Sequence, residues 1–325
     1  MSREVTGPMP LRELVARARQ KLVGPELVTL REHQRTLHEQ QQALRVAIGT
    51  LMAREIAGAA SSCNEAEFRS FSQFGEDGII EYLIQRCDIS PCTFVEIGVE
   101  TYAEANTRFL AEHRLWPGLI VDQNPRLSRD LARTRLDWRS QVRAVSAFVT
   151  RANVRQMVAP FVGTGGLGLL SVDIDGVDYW VLEQLVGIGP AMVIVEYNAL
   201  FGDSASVSIP YDAGFDRRRP EYHNVYYGAS LAAFEHLLSA QGYALAACVT
   251  AGNNAFFVRS DCLGDVPVRT IADAYRPRRF VEHRALDGTL TGITDRNGQL
   301  HDVEHLPLID VTDGRSLTVG DILSG

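Results

Sequence analysis

The chain has 325 residues, 46% apolar and 22% charged, enough for one large α/β domain with appendages or two modest domains. Its 32 basic and 40 acidic residues give a formal charge of −8, which weighs against a nucleic-acid partner. Five cysteines, odd in number and without a Cys-x-x-Cys pair, speak against a disulfide framework or a zinc knuckle and for a reducing cytoplasm. With no apolar run long enough to span a bilayer and no basic-then-apolar leader, the expectation is a cytoplasmic protein without a membrane span.

Three zones follow in chain order: a helical segment over 1–60, a central domain over 61–265 and a small appendage over 266–325. From about Pro10 to Ala60 the pattern is polar and helical, with a break expected at Gly24-Pro25. Beyond that break Leu30, Leu37, Leu44 and Leu51 recur at heptad spacing, with Leu27, Gln34, Gln41 and Ile48 at the other seam position. Two readings stay open: a coiled coil, hence a homo-oligomer, or an amphipathic helix lying on its own domain.

The central zone alternates β-rich runs with helical ones. Strands are predicted at Thr93–Gly98, Gly118–Asp122, Val142–Phe148, Gly168–Asp173 and Met192–Tyr197, then a closing pair at Tyr243–Thr250 and Ala255–Arg259. Helices fit at Glu76–Arg86, Ala103–Arg114, Val154–Phe161, Asp178–Val186 and Ala229–Gln241. This alternation implies right-handed crossovers and a Rossmann-like α/β fold. Its sheet is mostly parallel and seven-stranded, with an antiparallel last strand. In the last zone, Asn297-Gly298 between Thr291–Thr294 and Gln299–Val303 predicts a β-hairpin.

Ligands of open parallel sheets sit beyond the carboxyl ends of the strands. The first strand ends Glu96-Ile97-Gly98, where a glycine permits close backbone approach; the second ends in Asp122, placed to accept ribose hydroxyls. Gly98 is followed by Val99-Glu100-Thr101, not by further glycines, which disfavours a pyrophosphate-bearing dinucleotide but not a nucleoside without phosphates. The fourth strand delivers Asp173, Asp175 and Asp178, the fifth Glu196 and Asn198. Crowded carboxylates need a cation, a proton or solvent, and Asp173 with Glu196 suits a hard divalent ion if the two strands are neighbours. The same acids would otherwise cap the following helices. Ser72-Gln73-Phe74-Gly75-Glu76-Asp77 reads either as a helix cap or as part of the sheet's mouth. His223, in a long loop after the fifth strand, is a candidate general base. The arginine runs 217–219 and 276–279 read as solvated surface or as an anion grip.

The strings Ser72-Gln73-Phe74-Gly75-Glu76-Asp77, Phe94-Val95-Glu96-Ile97-Gly98 and Asp173-Ile174-Asp175-Gly176-Val177-Asp178-Tyr179-Trp180 carry a family likeness. With Glu196-Tyr197-Asn198 and Asn254-Ala255-Phe256-Phe257-Val258, they resemble class I S-adenosylmethionine-dependent methyltransferases, most closely the FkbM-like branch. The resemblance covers Phe71 to Arg259. It implies S-adenosylmethionine as cofactor, with Gln73, Glu96, Gly98, Asp122, Gln123 and Asp173 around it. A looser likeness to metal-dependent O-methyltransferases implies Mg²⁺ or a similar ion on Asp173, Glu196 and Asn198. His223 or Asp175 would then take the acceptor's proton. The implied activity is O-methylation of a sugar, glycan or glycosylated small molecule. A non-catalytic Rossmann-like assembly module with a decayed pocket is the alternative.

Overall fold

The computed structural model describes residues 11–323, with side chains from residue 27 onward. The chain divides into two units, Met1–Ile48 and Gly49–Gly325. The first is helical: α1 spans Leu11–Ala59 and so continues into the second. Its expected start at Pro10 lies outside the described residues. The expected break at Gly24-Pro25 is absent, because α1 runs through it. An internal proline costs about 3 kcal/mol, but good helix formers flank it on both sides and carry the helix across. Within the first unit Leu27, Leu30, Leu37, Leu44 and Ile48 are exposed.

In the second unit the last turns of α1 bury Ala53 and Ile56. Helix α2 (Glu76–Arg86) follows, with Gln85 donating to the Ala53 carbonyl at 3.1 Å. Then come β1 (Phe94–Ile97), α3 (Arg108–His113), β2 (Gly118–Asp122), α4 (Leu127–Thr134), α5 (Leu136–Arg139) and β3 (Arg143–Ser146). Next are α6 (Val154–Val162), β4 (Leu169–Val172), α7 (Asp178–Leu185) and β5 (Met192–Glu196). After the short strand β6 (Val207–Ser208) stand α8 (Leu231–Ser239), β7 (Tyr243–Cys248) and β8 (Asn254–Arg259).

The main sheet has seven strands in the order β3-β2-β1-β4-β5-β8-β7. The first five are mutually parallel, and β8 runs antiparallel to both of its neighbours. This is the Rossmann-like arrangement expected from the alternation. The strand order reverses between β1 and β4, so a crevice opens at their carboxyl ends. β1, β4 and β5 are buried along their whole length and β3 is an exposed edge, which is why the central strands read as continuous apolar runs. The core joins these strands to Val181, Leu182, Leu185, Leu231 and Phe234 of α7 and α8.

The hairpin expected around Asn297-Gly298 is not there. Those residues lie in α10 (Arg296–His301), because the Asp295 carboxylate accepts the Gly298 N–H at 2.7 Å and starts a helix. A short helix α9 (Ile271–Ala274) precedes it. The β appendage forms farther on, from β9 (Pro307–Asp310) and β10 (Ser316–Thr318), and β9 also pairs with β6. The two sets of strands make one small antiparallel sheet.

Candidate functional site

A cavity of about 1120 Å³ lies at the carboxyl edge of β1, β2, β4 and β5. Gln73, Glu96, Gly98, Asp122, Gln123, Asp173, Asp175 and Glu196 all line it, so eight of the residues singled out from the sequence converge on one space.

Gly98 adopts φ +86°, and a Cβ there would sit 1.5 Å from the Asp173 carbonyl oxygen. The glycine is therefore what lets the tips of β1 and β4 touch. Asp122 accepts the backbone N–H groups of Val99 and Glu100 on Oδ2 and that of Asn124 on Oδ1. A carboxylate offers about four lone-pair sites, so these bonds fix the β1–α3 loop and leave Asp122 one further acceptance. Glu96 is built alike: it accepts the N–H groups of Asn106 and Thr107 and the Thr107 hydroxyl. Burial pushes its carboxyl up to about 7.

At the next two strand tips the acids crowd. Val172 and Val195 are register partners, so Asp173 and Glu196 emerge side by side. One oxygen each from Asp173, Asp175 and Glu196 lies within 4.8 Å of the others. Burial raises the Asp173 and Glu196 carboxyls well above the usual range; the Asp173 charge raises Glu196 further and the Asp175 charge raises both, while Arg217 pulls each back. The Glu196 Oε2 is buried without a hydrogen-bond partner. Arg217 bonds to Asp175, and its other arm reaches Glu282 at 2.7 Å. The Tyr227 ring stacks beneath its guanidinium, 4.0 Å from centroid to Cζ. Asp175 itself stands at φ +56°, a left-handed conformation uncommon for a non-glycine residue.

Other expected participants do different work. Asn198 is fully buried; it donates to the Val225 and Tyr227 carbonyls and accepts the Leu200 N–H. Its amide is spent on holding the loop, which takes it out of the ligand set. Asp178 accepts the Ile174 and Gly176 N–H groups and so braces the turn between β4 and α7. In the 72–77 string, Asp77 gathers the N–H groups of Ser70, Phe71 and Ser72, and Glu76 accepts from Phe74 N and Asn254 Nδ2. Both brace the loop ahead of α2, and Gln73 alone of that string lines the cavity. His223 does not line it; its Nδ1 meets the Arg284 carbonyl at 2.8 Å.

The long loop after β5 supplies Asp212–Arg218 and Asn224 to the cavity wall. Phe280, Glu282 and Arg284 complete it from the zone read as an appendage. No local pattern marks these three: they reach the cavity only because the chain folds back over it.

The chain matches no family model and no curated relative. Among solved structures it is similar to an O-methyltransferase family protein from Burkholderia thailandensis, at 12% identity over 68% of this chain and 58% of that one (TM-score 0.34). Cofactor-bound Rv0187 from MTB is similar at 13% identity over 79% of this chain and 100% of that one (TM-score 0.35). The O-methyltransferase NcsB1 from neocarzinostatin biosynthesis, in complex with S-adenosylmethionine and 2-hydroxy-5-methyl naphthoic acid, is similar at 14% identity over 67% and 58% (TM-score 0.33). The chain thus spans less than two thirds of the first and third of these proteins.

Proposed function

We propose that this chain is a class I S-adenosylmethionine-dependent O-methyltransferase of the FkbM-like branch, acting on a hydroxyl of a sugar, glycan or glycosylated small molecule. One observation carries the reading. Asp122 and Gly98 at two strand tips share a cavity with the Asp173–Asp175–Glu196 cluster, and Val99–Ala103 stand where a dinucleotide site would need glycines. The one free acceptance on Asp122 suits a ribose hydroxyl, and that on Glu96 suits the ammonium of the methionine moiety. Gln123 stands beside Asp122 for the adenine edge.

S-adenosylmethionine, when bound, supplies an electrophilic methyl group, so the protein's task is to orient a hydroxyl and accept its proton. Asp175, held by Arg217, takes that proton in this scheme. A hard divalent cation such as Mg²⁺ fits the oxygen-only donor set of Asp173 and Glu196, whose buried Oε2 lacks a partner. Such an ion would lower the acceptor's pKa. The remaining wall, with Asp212, Asp216, Arg218, Glu282 and Arg284 against only three phenylalanines, favours a polyhydroxyl acceptor over a flat aromatic one.

The exposed heptad leucines of α1 support pairing with a second copy of the chain. All five cysteines are free thiols, in keeping with a cytoplasmic setting. Among the described residues no helix is long and apolar enough to cross a membrane.

Calorimetric binding of S-adenosylmethionine to the purified chain is the first test, followed by transfer of a labelled methyl group to a panel of sugars. A folded protein that ignores the cofactor at millimolar concentration overturns the reading and leaves the non-catalytic module. Transfer that survives exhaustive EDTA and gains nothing from Mg²⁺ removes the metal alone.

A further inference from the structure

Outside the main cavity, three chain segments bring His223, His283 and Asp302 together. One ligand atom from each lies within 4.8 Å of the others. His283 is 1% exposed, and its hydrogen bonds define its tautomer. The Thr291 hydroxyl donates to the His283 carbonyl at 3.3 Å and therefore accepts from Nδ1–H at 2.9 Å. That pattern assigns the proton to Nδ1 and leaves Nε2 as a lone-pair donor facing Asp302.

That Nε2 is buried with no hydrogen-bond partner. Opposite it, at 3.4 Å, stands Asp302 Oδ2. In that tautomer two acceptors face each other across a short gap, an arrangement that a bound cation satisfies. The His223 ring stacks on that of His283 with centroids 5.1 Å apart, and its Nδ1 lies 3.8 Å from the same Asp302 oxygen.

We propose that His223, His283 and Asp302 form a binding site for a borderline divalent transition ion, of which Zn²⁺ is the type. Two imidazoles and one carboxylate are the donor set such ions prefer, and they discriminate against Mg²⁺. The Thr291 hydroxyl plays the orienting part that metal-bound histidines ordinarily find in a second partner. His223 joins by exchanging its hydrogen bond to the Arg284 carbonyl for a coordinate bond. Asp302 is 44% exposed at its side chain, so solvent completes the coordination from that side.

The ion adds Asp302 to segments already joined by the Arg284 N–H on the His223 carbonyl at 3.0 Å and by the Arg217–Glu282 pair at 2.7 Å. His223 belongs to the loop that carries Arg217 over the main cavity, and His283 lies between Glu282 and Arg284, both in the cavity wall. Loading the site would reinforce that attachment. This inference does not depend on the methyl-transfer reading.

The test is a titration of the full chain, stripped with EDTA and dialysed, with zinc sulfate against a chromogenic chelator. One Zn²⁺ should bind per chain, with Mg²⁺ unable to compete, and should raise the thermal midpoint. Asp302→Asn, at an exposed position, should keep the fold while weakening Zn²⁺ at least about tenfold and cancelling the thermal shift. His283→Gln should behave alike if it folds, whereas Glu196→Gln should leave the titration unchanged. Absence of Zn²⁺ binding below about 0.1 mM, where structural sites are long saturated, overturns the proposal. So does binding that Asp302→Asn leaves intact, or binding that Glu196→Gln abolishes.

Discussion

Replacing Gly98 by alanine probes the joint on which the cavity is built. The added Cβ would stand 1.5 Å from the Asp173 carbonyl oxygen and 2.5 Å from its carbon, both backbone atoms that no rotamer change can move. The tips of β1 and β4 must part, or the φ of +86° must be abandoned. A left-handed conformation costs an L-residue about 1–2 kcal/mol, and forcing an extra carbon into a packed site about 1–3 kcal/mol. The expected loss is therefore about 2–5 kcal/mol, a sizeable part of the usual 5–15 kcal/mol of a folded domain. Urea denaturation reads this loss, and on the proposed function calorimetry on the surviving folded protein should also read a drop in S-adenosylmethionine affinity, since Glu96 and Asp173 flank the joint. Gly58 provides the control: it lies in α1 with nothing within 4 Å of its would-be Cβ. Gly58→Ala should be neutral or stabilise by up to about 1 kcal/mol. A Gly98→Ala protein that loses less than about 1 kcal/mol and binds the cofactor normally would refute the reasoning.

Asn198→Ala strands the Val225 and Tyr227 carbonyls and the Leu200 N–H, so at about 1–3 kcal/mol for each buried group left unpaired thermal unfolding should drop sharply; a neutral variant would contradict the structural role. Burial raises the carboxyls of Asp77 and Asp178 to about 6 and that of Glu96 to about 7. The unfolded chain releases these protons near pH 4, so the folded chain binds more protons between about pH 4 and 7 and its stability should fall as pH rises through that window. Urea midpoints at pH 5 and pH 7.5 measure it, and a flat or rising trend would be the contrary result. Leu37→Glu with Leu44→Glu, both at exposed positions, should reduce the mass seen by light scattering to that of one chain if the heptads pair. An unchanged mass removes that interface.

The main sheet was legible because its central strands are buried on both faces, which leaves runs such as Gly118–Asp122 and Met192–Glu196 standing out between turns. α4 escaped notice because it is only eight residues long and shows just two buried leucines, Leu127 and Leu131, among polar neighbours. The Asn-Gly turn signal failed at Asn297-Gly298 because an aspartate just upstream captured the glycine N–H and turned the segment into a helix. At the site, the strand-tip acids announced themselves by position, but position does not tell a ligand from a brace. Asn198 and Asp178 proved to be braces, since hydrogen-bond partners from distant backbone decide that question. Glu282 and His283 left no local trace at all, being brought to their places by the return of the chain.

The pairing of β9 with β6 has a bearing on how the molecule is made. Val207 and Ser208 pair with Asp310 and Ile309, and the Tyr226 hydroxyl donates to the Pro307 carbonyl. The stretch between them carries Arg217 over the cavity. During synthesis the seven strands of the main sheet emerge well before residue 310. The stretch can then already lean on Trp180, Asn198 and Asp175, which bond to Ile209, Val225 and Arg217. Its pairing with β9 is the last of these ties to become available, a clasp that only the final turns of the chain can supply.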